Sequence, residues 1–381
     1  MGQFSMEILP QTGSVLSGIQ QAEVSAILAL VQRQPTALVL DESHAAKNWK
    51  SLTSRAARQI APYCAYRWLL SGTPVTNSPL DLFTQIEILA PGERVLGSQE
   101  LFMAAIEQDP EATFAQDTFN RYVLRRTKDE CLDLPEKTFM NVQVDLPIWQ
   151  RKLYDEMRTG MVCEIEAMNG EEYRAFASTA LAKLTRLSQI ASNPALIFPE
   201  MREVPGKFEA LDNLLADILS VPDRKAIVWS NYVRTIDSLL ARYETYGAVA
   251  IYGKTAAGDR QAIGDSFQND PATRVLIANP AAAGTGFTFT SATFTIYETL
   301  SWRYDHYAQS QDRNHRIGQT KPVTYLRVIA ADTIEEAIIN ALEKKSSMAR
   351  SILGDPDVEV GINNMTKEEM CVLLMTNRLP T

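Results

Sequence analysis

Two pairs of charged residues carry the chemistry this sequence offers. Arg313 and Arg316 stand three apart in Gln309–Gln319, which reads Gln-Ser-Gln-Asp-Arg-Asn-His-Arg-Ile-Gly-Gln. Tyr304 to Asn314 holds no Gly or Pro and reads as a helix, with Gly318 and Pro322 closing it before the apolar run Val323–Ile329. At that spacing two guanidiniums share one face of a helix end. Paired forks aimed at one spot suit a highly charged anion such as a triphosphate. A solvated helix end with unrelated arginines fits the same spacing. The second pair, Asp41 and Glu42, follows the short apolar run Thr36–Leu40. A buried parallel strand delivers such carboxylates to its carboxyl edge, where one can hold a metal ion and the other polarise a water. An N-cap after a strand explains the same acids.

These pairs need elements to hold them. Tyr66–Leu70 reads as a second strand, ending in the polar turn Ser71-Gly72-Thr73-Pro74, and Pro79–Leu89 as a helix. From about Gly92 to Pro199 the periodicity is helical except for a strand at Thr138–Leu146. Beyond a helix at Phe208–Leu219, strands are expected at Lys225–Trp229, Ala248–Tyr252, Arg274–Ala278, Thr293–Tyr297 and Val323–Ile329, separated by helical or Gly-rich segments. That order argues a doubly wound parallel sheet. Asp332 and Glu335 suggest a capping box for a helix running to about Leu353. Residues 19–32 read as a further helix.

The totals are those of an ordinary globular chain. At 381 residues, 45% hydrophobic and 22% charged, two or three domains can bury cores. A net charge of −9 excludes coating nucleic acid by bulk charge, so polyanion contact must come from local patches. Arg121, Arg125, Arg126 and Lys128, with no acid in 120–128, form one such patch, though a solvated helix face explains it equally. Cys64, Cys131, Cys163 and Cys371 lack paired spacing, which suggests neither a disulfide framework nor a zinc site. With no basic leader and no apolar run near eighteen residues, a cytoplasmic protein without a membrane span is expected. Gly253-Lys254-Thr255 imitates a phosphate loop, but Ala248–Tyr252 before it is strand-like and the preceding Gly247 gives the wrong spacing. Asn279-Pro280 and Gly284-Thr285-Gly286 follow the third strand of the second sheet, where glycines permit a sharp turn or close approach to a ligand.

In this order the motifs resemble the SNF2 family of superfamily 2 helicase-like ATPases. Asp41-Glu42-Ser43-His44 with Lys47-Asn48 looks like the family's Walker B box, and Ser71-Gly72-Thr73-Pro74 with Asn77 and Leu82-Phe83 is similar to its third motif. Leu124-Arg125-Arg126 and Leu134-Pro135-Glu136-Lys137 look like the segment leaving its first helical insert, and Gln189-Ile190 with Asn193-Pro194 resembles the second. Gln309, Asp312-Arg313 and His315-Arg316-Ile317-Gly318-Gln319 match its sixth motif nearly letter for letter. The resemblance spans roughly residues 36–345 and implies an α/β fold of two RecA-like lobes, the first truncated, with a helical insert between them. The corresponding domains are 1–92, 93–205 and 206–355, followed by a tail at 356–381.

It also implies ATP and Mg²⁺ as cofactors, double-stranded DNA as partner, and movement along DNA as output. Asp41 would hold Mg²⁺ and Glu42 would activate water. Arg313 and Arg316 would act as arginine fingers, while Gln309, Gly284 and Gly286 would line the nucleotide. Ser71, Gly72 and Thr73 would couple nucleotide to DNA, and Arg125, Arg126 and Lys128 would touch DNA. Departures are Ser43 for Ala, Gly284-Thr-Gly-Phe-Thr288 for Gly-x-Gly-Leu-Asn, and Trp302-Arg303 where many members have Trp-Asn-Pro. No Gly-x-x-x-x-Gly-Lys followed by Ser or Thr precedes Asp41. The expectation is therefore a motor inactive alone, with a separate polypeptide as one source of the missing loop. The alternative is a non-catalytic nucleic-acid-binding or regulatory module.

Overall fold

The computed structural model describes residues 37–71, 80–109, 113–124, 126, 131–177, 179–283, 286–351 and 365–379. The chain forms two compact units, one of residues 1–125 with 348–358 and one of residues 126–347 with 359–381.

In the first unit, β1 (Ala37–Leu40) and β2 (Tyr66–Leu69) pair in parallel, with Leu40 opposite Leu69. α1 (Leu52–Ile60) lies between them in sequence, its N-terminus capped by Ser51 Oγ, which accepts the Ser54 amide. The alternation of strand side chains sends Leu38, Leu40 and Leu69 to a small core with Ala57 and Ala61. Val39, Tyr66 and Trp68 face the other way and are more than half exposed. α2 (Leu80–Leu89), α3 (Gln99–Gln108) and α4 (Gln116–Tyr122) pack around Leu82, Phe83, Ile86, Phe102 and Phe119. The helix expected at Ile19–Gln32 lies outside the described residues.

The second unit is built on a six-stranded parallel sheet of order β3-β8-β7-β4-β6-β5. β4 (Ala226–Trp229), β5 (Val249–Ile251), β6 (Val275–Ala278), β7 (Phe294–Tyr297) and β8 (Val323–Ala330) match the five apolar runs. The strand expected inside the helical insert is β3 (Lys137–Val144), which pairs along its whole length with β8 and so extends this sheet. Alternate residues feed two cores. Ala226 and Val228 meet α8 (Gly206–Leu219) and α9 (Val233–Arg242), while Ile227 and Trp229 meet Phe267 of α10 (Ala257–Asn269) and Leu342 of α12 (Ile334–Ser351).

A helical layer of α5 (Ile148–Ala167), α6 (Gly170–Ala177) and α7 (Ala180–Ser192) precedes α8. It buries Tyr154, Ile165 and Leu187 against α13 (Lys367–Thr376), which the segment read as a tail supplies. α8 can begin where it does only because residue 206 is glycine. A Cβ there would stand 2.7 Å from Pro147 Cδ. The remaining helix, α11 (Tyr304–Gln311), is shorter than its Gly- and Pro-free stretch.

The capping box expected from Asp332 and Glu335 does not form. Asp332 takes a left-handed φ of 53°, its amide donates to Glu336 Oε1, and the Glu335 carboxylate turns inward to a buried lysine. Burial of that acid with a cation overrides the local cap. No helix among the described residues is long and apolar enough to cross a membrane.

Candidate functional site

In the first unit β1 carries Asp41 and Glu42 to its carboxyl edge. There the ladder continues past the strand ends. The Leu70 amide donates to Leu40 O at 2.8 Å and the Ser43 amide to Leu70 O at 2.9 Å. This pins Glu42 in a left-handed conformation, φ 50° and ψ 48°, unusual for a non-glycine residue. Asp41 Oδ1 accepts the Glu42 amide at 2.9 Å and the Asp41 side chain stays exposed. The Glu42 carboxylate lies 3.3 Å from His44 Nδ1, which is also 3.3 Å from Ser71 Oγ. Ser71 of the polar turn is thereby joined to the acidic pair through one imidazole. Ser43 is buried, and its hydroxyl donates to Gln85 Oε1 at 2.8 Å, anchoring the turn on α2. Gln85 Nε2 in turn donates to Asp81 O. Gly72 and Thr73 lie outside the described residues.

An exposed carboxylate at a strand edge suits Mg²⁺, which keeps several waters and takes one or two protein carboxylates. Among the described residues no cluster of three His, Cys, Asp or Glu side chains could cage a metal by itself. Asp41 therefore fits as a single ligand that leaves the other positions to water and phosphate.

In the second unit the paired arginines do not ride on the helix. α11 ends at Gln311, and the Asp312 amide closes it on Ala308 O and Gln309 O. Arg313 and Arg316 stand in the turn that follows, so the helical spacing does not place them, yet the turn brings both to one carbonyl. Nη1 of each donates to the Phe287 carbonyl, at 3.5 Å from Arg313 and 3.0 Å from Arg316. Arg313 is buried and Arg316 half-buried. The Phe289 amide donates to Arg313 O at 2.8 Å, so the loop and the turn are stitched from both sides. Two like charges drawn to one neutral oxygen favour an added anion.

The other residues of the motif do the holding. Asn314 is fully buried; Nδ2 donates to Thr295 Oγ1 at 2.8 Å and Oδ1 accepts the Tyr325 hydroxyl at 3.1 Å. His315 Nε2 is 2.7 Å from Pro135 O. Gln319 Nε2 donates to the Thr290, Ala292 and Asn314 carbonyls. Asn314 and Tyr325 were not singled out from the sequence. Their signal, a polar residue inside a motif and a Tyr on a central strand, is indistinguishable from surface usage.

Gln309 is half-buried on α11, and Gly286 is exposed with φ +83° and open space at its Cβ position. Arg126 is exposed, whereas Gly284, Arg125 and Lys128 lie outside the described residues. Gly253-Lys254-Thr255 forms no phosphate cradle. Lys254 pairs with Asp237 at 2.7 Å, and the Thr255 hydroxyl is spent on Ala250 O and the Tyr252 amide.

Two family models match in succession, an SNF2-related domain over residues 15–196 and a helicase conserved C-terminal domain over 206–318. The chain belongs to the SNF2 family of superfamily 2 helicase-like proteins. It is 28% identical to an uncharacterized ATP-dependent helicase of Mycoplasma genitalium, over 83% of this chain and 30% of that one. It is 25% identical to the Caenorhabditis elegans homologue of SWI/SNF-related matrix-associated actin-dependent regulator of chromatin subfamily A-like protein 1, over 81% of this chain and 44% of that one. The chain thus spans less than half the length of either relative. The Sulfolobus solfataricus SWI2/SNF2 ATPase core in complex with double-stranded DNA shares the fold, with a TM-score of 0.52 and 24% identity over 93% of this chain and 76% of that one. The same core domain in a second structure gives a TM-score of 0.51 and 25% identity, over 90% of this chain and 71% of that one. The SNF2 fold accordingly has the two RecA-like lobes that the motifs implied.

Proposed function

We propose that this SNF2-family chain is the hydrolytic and arginine-finger portion of an ATP-dependent motor that moves on double-stranded DNA. The observation that carries the reading is the convergence of Arg313 and Arg316 on the Phe287 carbonyl, because two guanidiniums gathered at one point suit a concentrated negative charge. In this reading Asp41 binds Mg²⁺, which when present neutralises charge on the phosphate oxygens. Glu42 orients the attacking water and accepts its proton, with His44 holding the carboxylate in place. Arg313 and Arg316 balance the charge that develops on the transferred phosphoryl group, a role worth on the order of 10³–10⁵ in rate elsewhere. Ser71 and its neighbours Gly72 and Thr73 report the nucleotide state to the DNA track, to which Arg125, Arg126 and Lys128 contribute charge. Gln309, Gly284 and Gly286 line the nucleotide.

The 381 residues contain no Walker A sequence, so by itself this chain should hydrolyse ATP slowly or not at all. The exposed apolar face of Val39, Tyr66, Trp68 and Leu70 supports a first lobe that further chain covers, either joined to it or supplied as a separate polypeptide. A cytoplasmic location is the compartment this reading assigns. The missing loop also favours a second reading, a non-catalytic nucleic-acid-binding or regulatory module. ATP hydrolysis measured with and without double-stranded DNA, by the chain alone and with a polypeptide carrying the phosphate loop, separates them. Turnover requiring DNA, the loop and Arg316 supports the motor. Silence in every mixture, with salt-dependent DNA binding unaffected by ATP, supports the module.

A further inference from the structure

The carboxyl edge of the six-stranded sheet holds a knot of buried charge that the hydrolytic chemistry does not call on. Glu298, the residue after β7, is fully buried. Its Oε1 accepts the Ser192 hydroxyl at 2.6 Å, and its Oε2 accepts the hydroxyls of Ser230 at 2.8 Å and Thr299 at 3.0 Å. Its main-chain carbonyl accepts Lys207 Nζ at 2.6 Å. Lys207, also fully buried in the first turn of α8, reaches Glu335 Oε1 at 2.6 Å. Glu335 Oε2 then accepts the Ala330 amide at 2.9 Å. The end of α7, the ends of β4, β7 and β8, and the starts of α8 and α12 therefore meet at one point.

A carboxylate is acceptor-only, so it dictates where each hydroxyl proton points. With its proton committed to Glu298, Thr299 Oγ1 presents a lone pair to the Asn231 amide at 2.9 Å, and Asn231 Nδ2 donates to Thr299 O at 3.1 Å. Asn279 Nδ2 then bonds the main-chain oxygens of Ser230 at 3.3 Å and Asn231 at 3.2 Å. Asn279 follows β6 and, in sequence, leads to Phe287, whose carbonyl receives both arginines; residues 284 and 285 between them lie outside the described residues. An ordinary core gains nothing from this arrangement, since well-packed apolar residues are often as stable as buried charge or more so.

We infer that Glu298 is a positioning residue: through Thr299, Ser230, Asn231 and Asn279 it sets the loop against which Arg313 and Arg316 are aimed. The consequence for turnover rests on the motor reading; the positioning itself does not. Backbone amide exchange of the whole chain, without nucleotide or DNA, tests it in wild type, Glu298→Gln, Glu298→Ala and Thr299→Val. Thr299→Val cuts the link while leaving the buried carboxylate in place with its bonds from Ser192 and Ser230, should Glu298→Ala fail to fold. The amides of Asn231, Asn279 and residues 281–283 should exchange about tenfold faster in Thr299→Val and Glu298→Ala, with β6 and β8 amides at wild-type rates. Glu298→Gln, which keeps shape but must reverse one hydroxyl, should fall between. Equal acceleration across the whole sheet, or unchanged exchange at 231, 279 and 281–283, overturns the inference. With the phosphate loop supplied, Thr299→Val should lower kcat more than it raises KM for ATP. Absence of turnover in wild type defeats the motor reading and leaves the exchange result standing.

Discussion

Replacing Lys207 by Met should cost more stability than any surface change. Its ammonium is wholly enclosed and is shared between the Glu298 carbonyl and the Glu335 carboxylate, each at 2.6 Å. Removing it strands a buried carboxylate, and breaking such a pair costs about 3–5 kcal/mol, a fifth or more of the roughly 5–15 kcal/mol that holds a domain together. The double variant Lys207→Met with Glu335→Gln removes the stranded charge while its amide oxygen can still accept the Ala330 amide. It should recover all but about 1–2 kcal/mol.

The pH dependence of the single variant has a definite sign. Burial pushes the Glu335 carboxyl above its ordinary range, and the Lys207 charge opposes that push. Without Lys207 the carboxyl rises further, so in the window above its unfolded value the native state binds more protons than the unfolded chain. Stability in that window falls as pH rises. The gap between wild type and Lys207→Met should therefore narrow as the pH is lowered from neutral. Urea unfolding followed by fluorescence across that range measures it. A single-variant cost under about 1 kcal/mol, or a double variant no better than the single, would refute the reasoning.

Three further outcomes are expected. Arg316→Ala should remove at least about 10³ of any DNA-stimulated ATP turnover, and Arg316→Lys should restore little, because a point charge does not replace the planar fork. Glu42→Gly should relieve the left-handed backbone, raising stability by about 0.5–1 kcal/mol after glycine's own entropy cost while ending turnover; denaturation and hydrolysis assays on one preparation report both. Gly206→Ala should cost about 1–3 kcal/mol in thermal unfolding, since its methyl carbon would lie 2.7 Å from Pro147 Cδ and 3.1 Å from Asp145 O.

Periodicity located the second sheet because its central strands are continuous apolar runs bounded by turn residues, the pattern of strands buried on both faces. β3 escaped that logic. Its burial is mostly exposed along Lys137–Asn141, so it reads as an isolated strand, and nothing local says that it borders β8. The limit of α11 was equally hidden. Asn314 has no helix-breaking signature, but its bonds to Thr295 and Tyr325 require the chain to turn inward, and those partners lie 19 and 11 residues away.

The same separation explains which candidate residues were legible. Arg313, Arg316, Asp41 and Glu42 were visible because their chemistry is local, a pair of charges at short spacing. Lys207, Glu298 and Glu335 were not, since a charged residue in a sequence reads as solvated and only the fold puts these three together. The consequence is physical as well as practical. A pair such as Arg313 and Arg316 gains its geometry from what stands behind it, here Asn314 and Gln319 on one side and the loop reaching Phe287 on the other. In the motor reading, placement of the Phe287 carbonyl sets how strongly the two guanidiniums act, because misplacing a reacting group by about 1 Å costs on the order of 10² in rate. In that reading, a change at Glu298 should therefore tune turnover although it touches neither guanidinium.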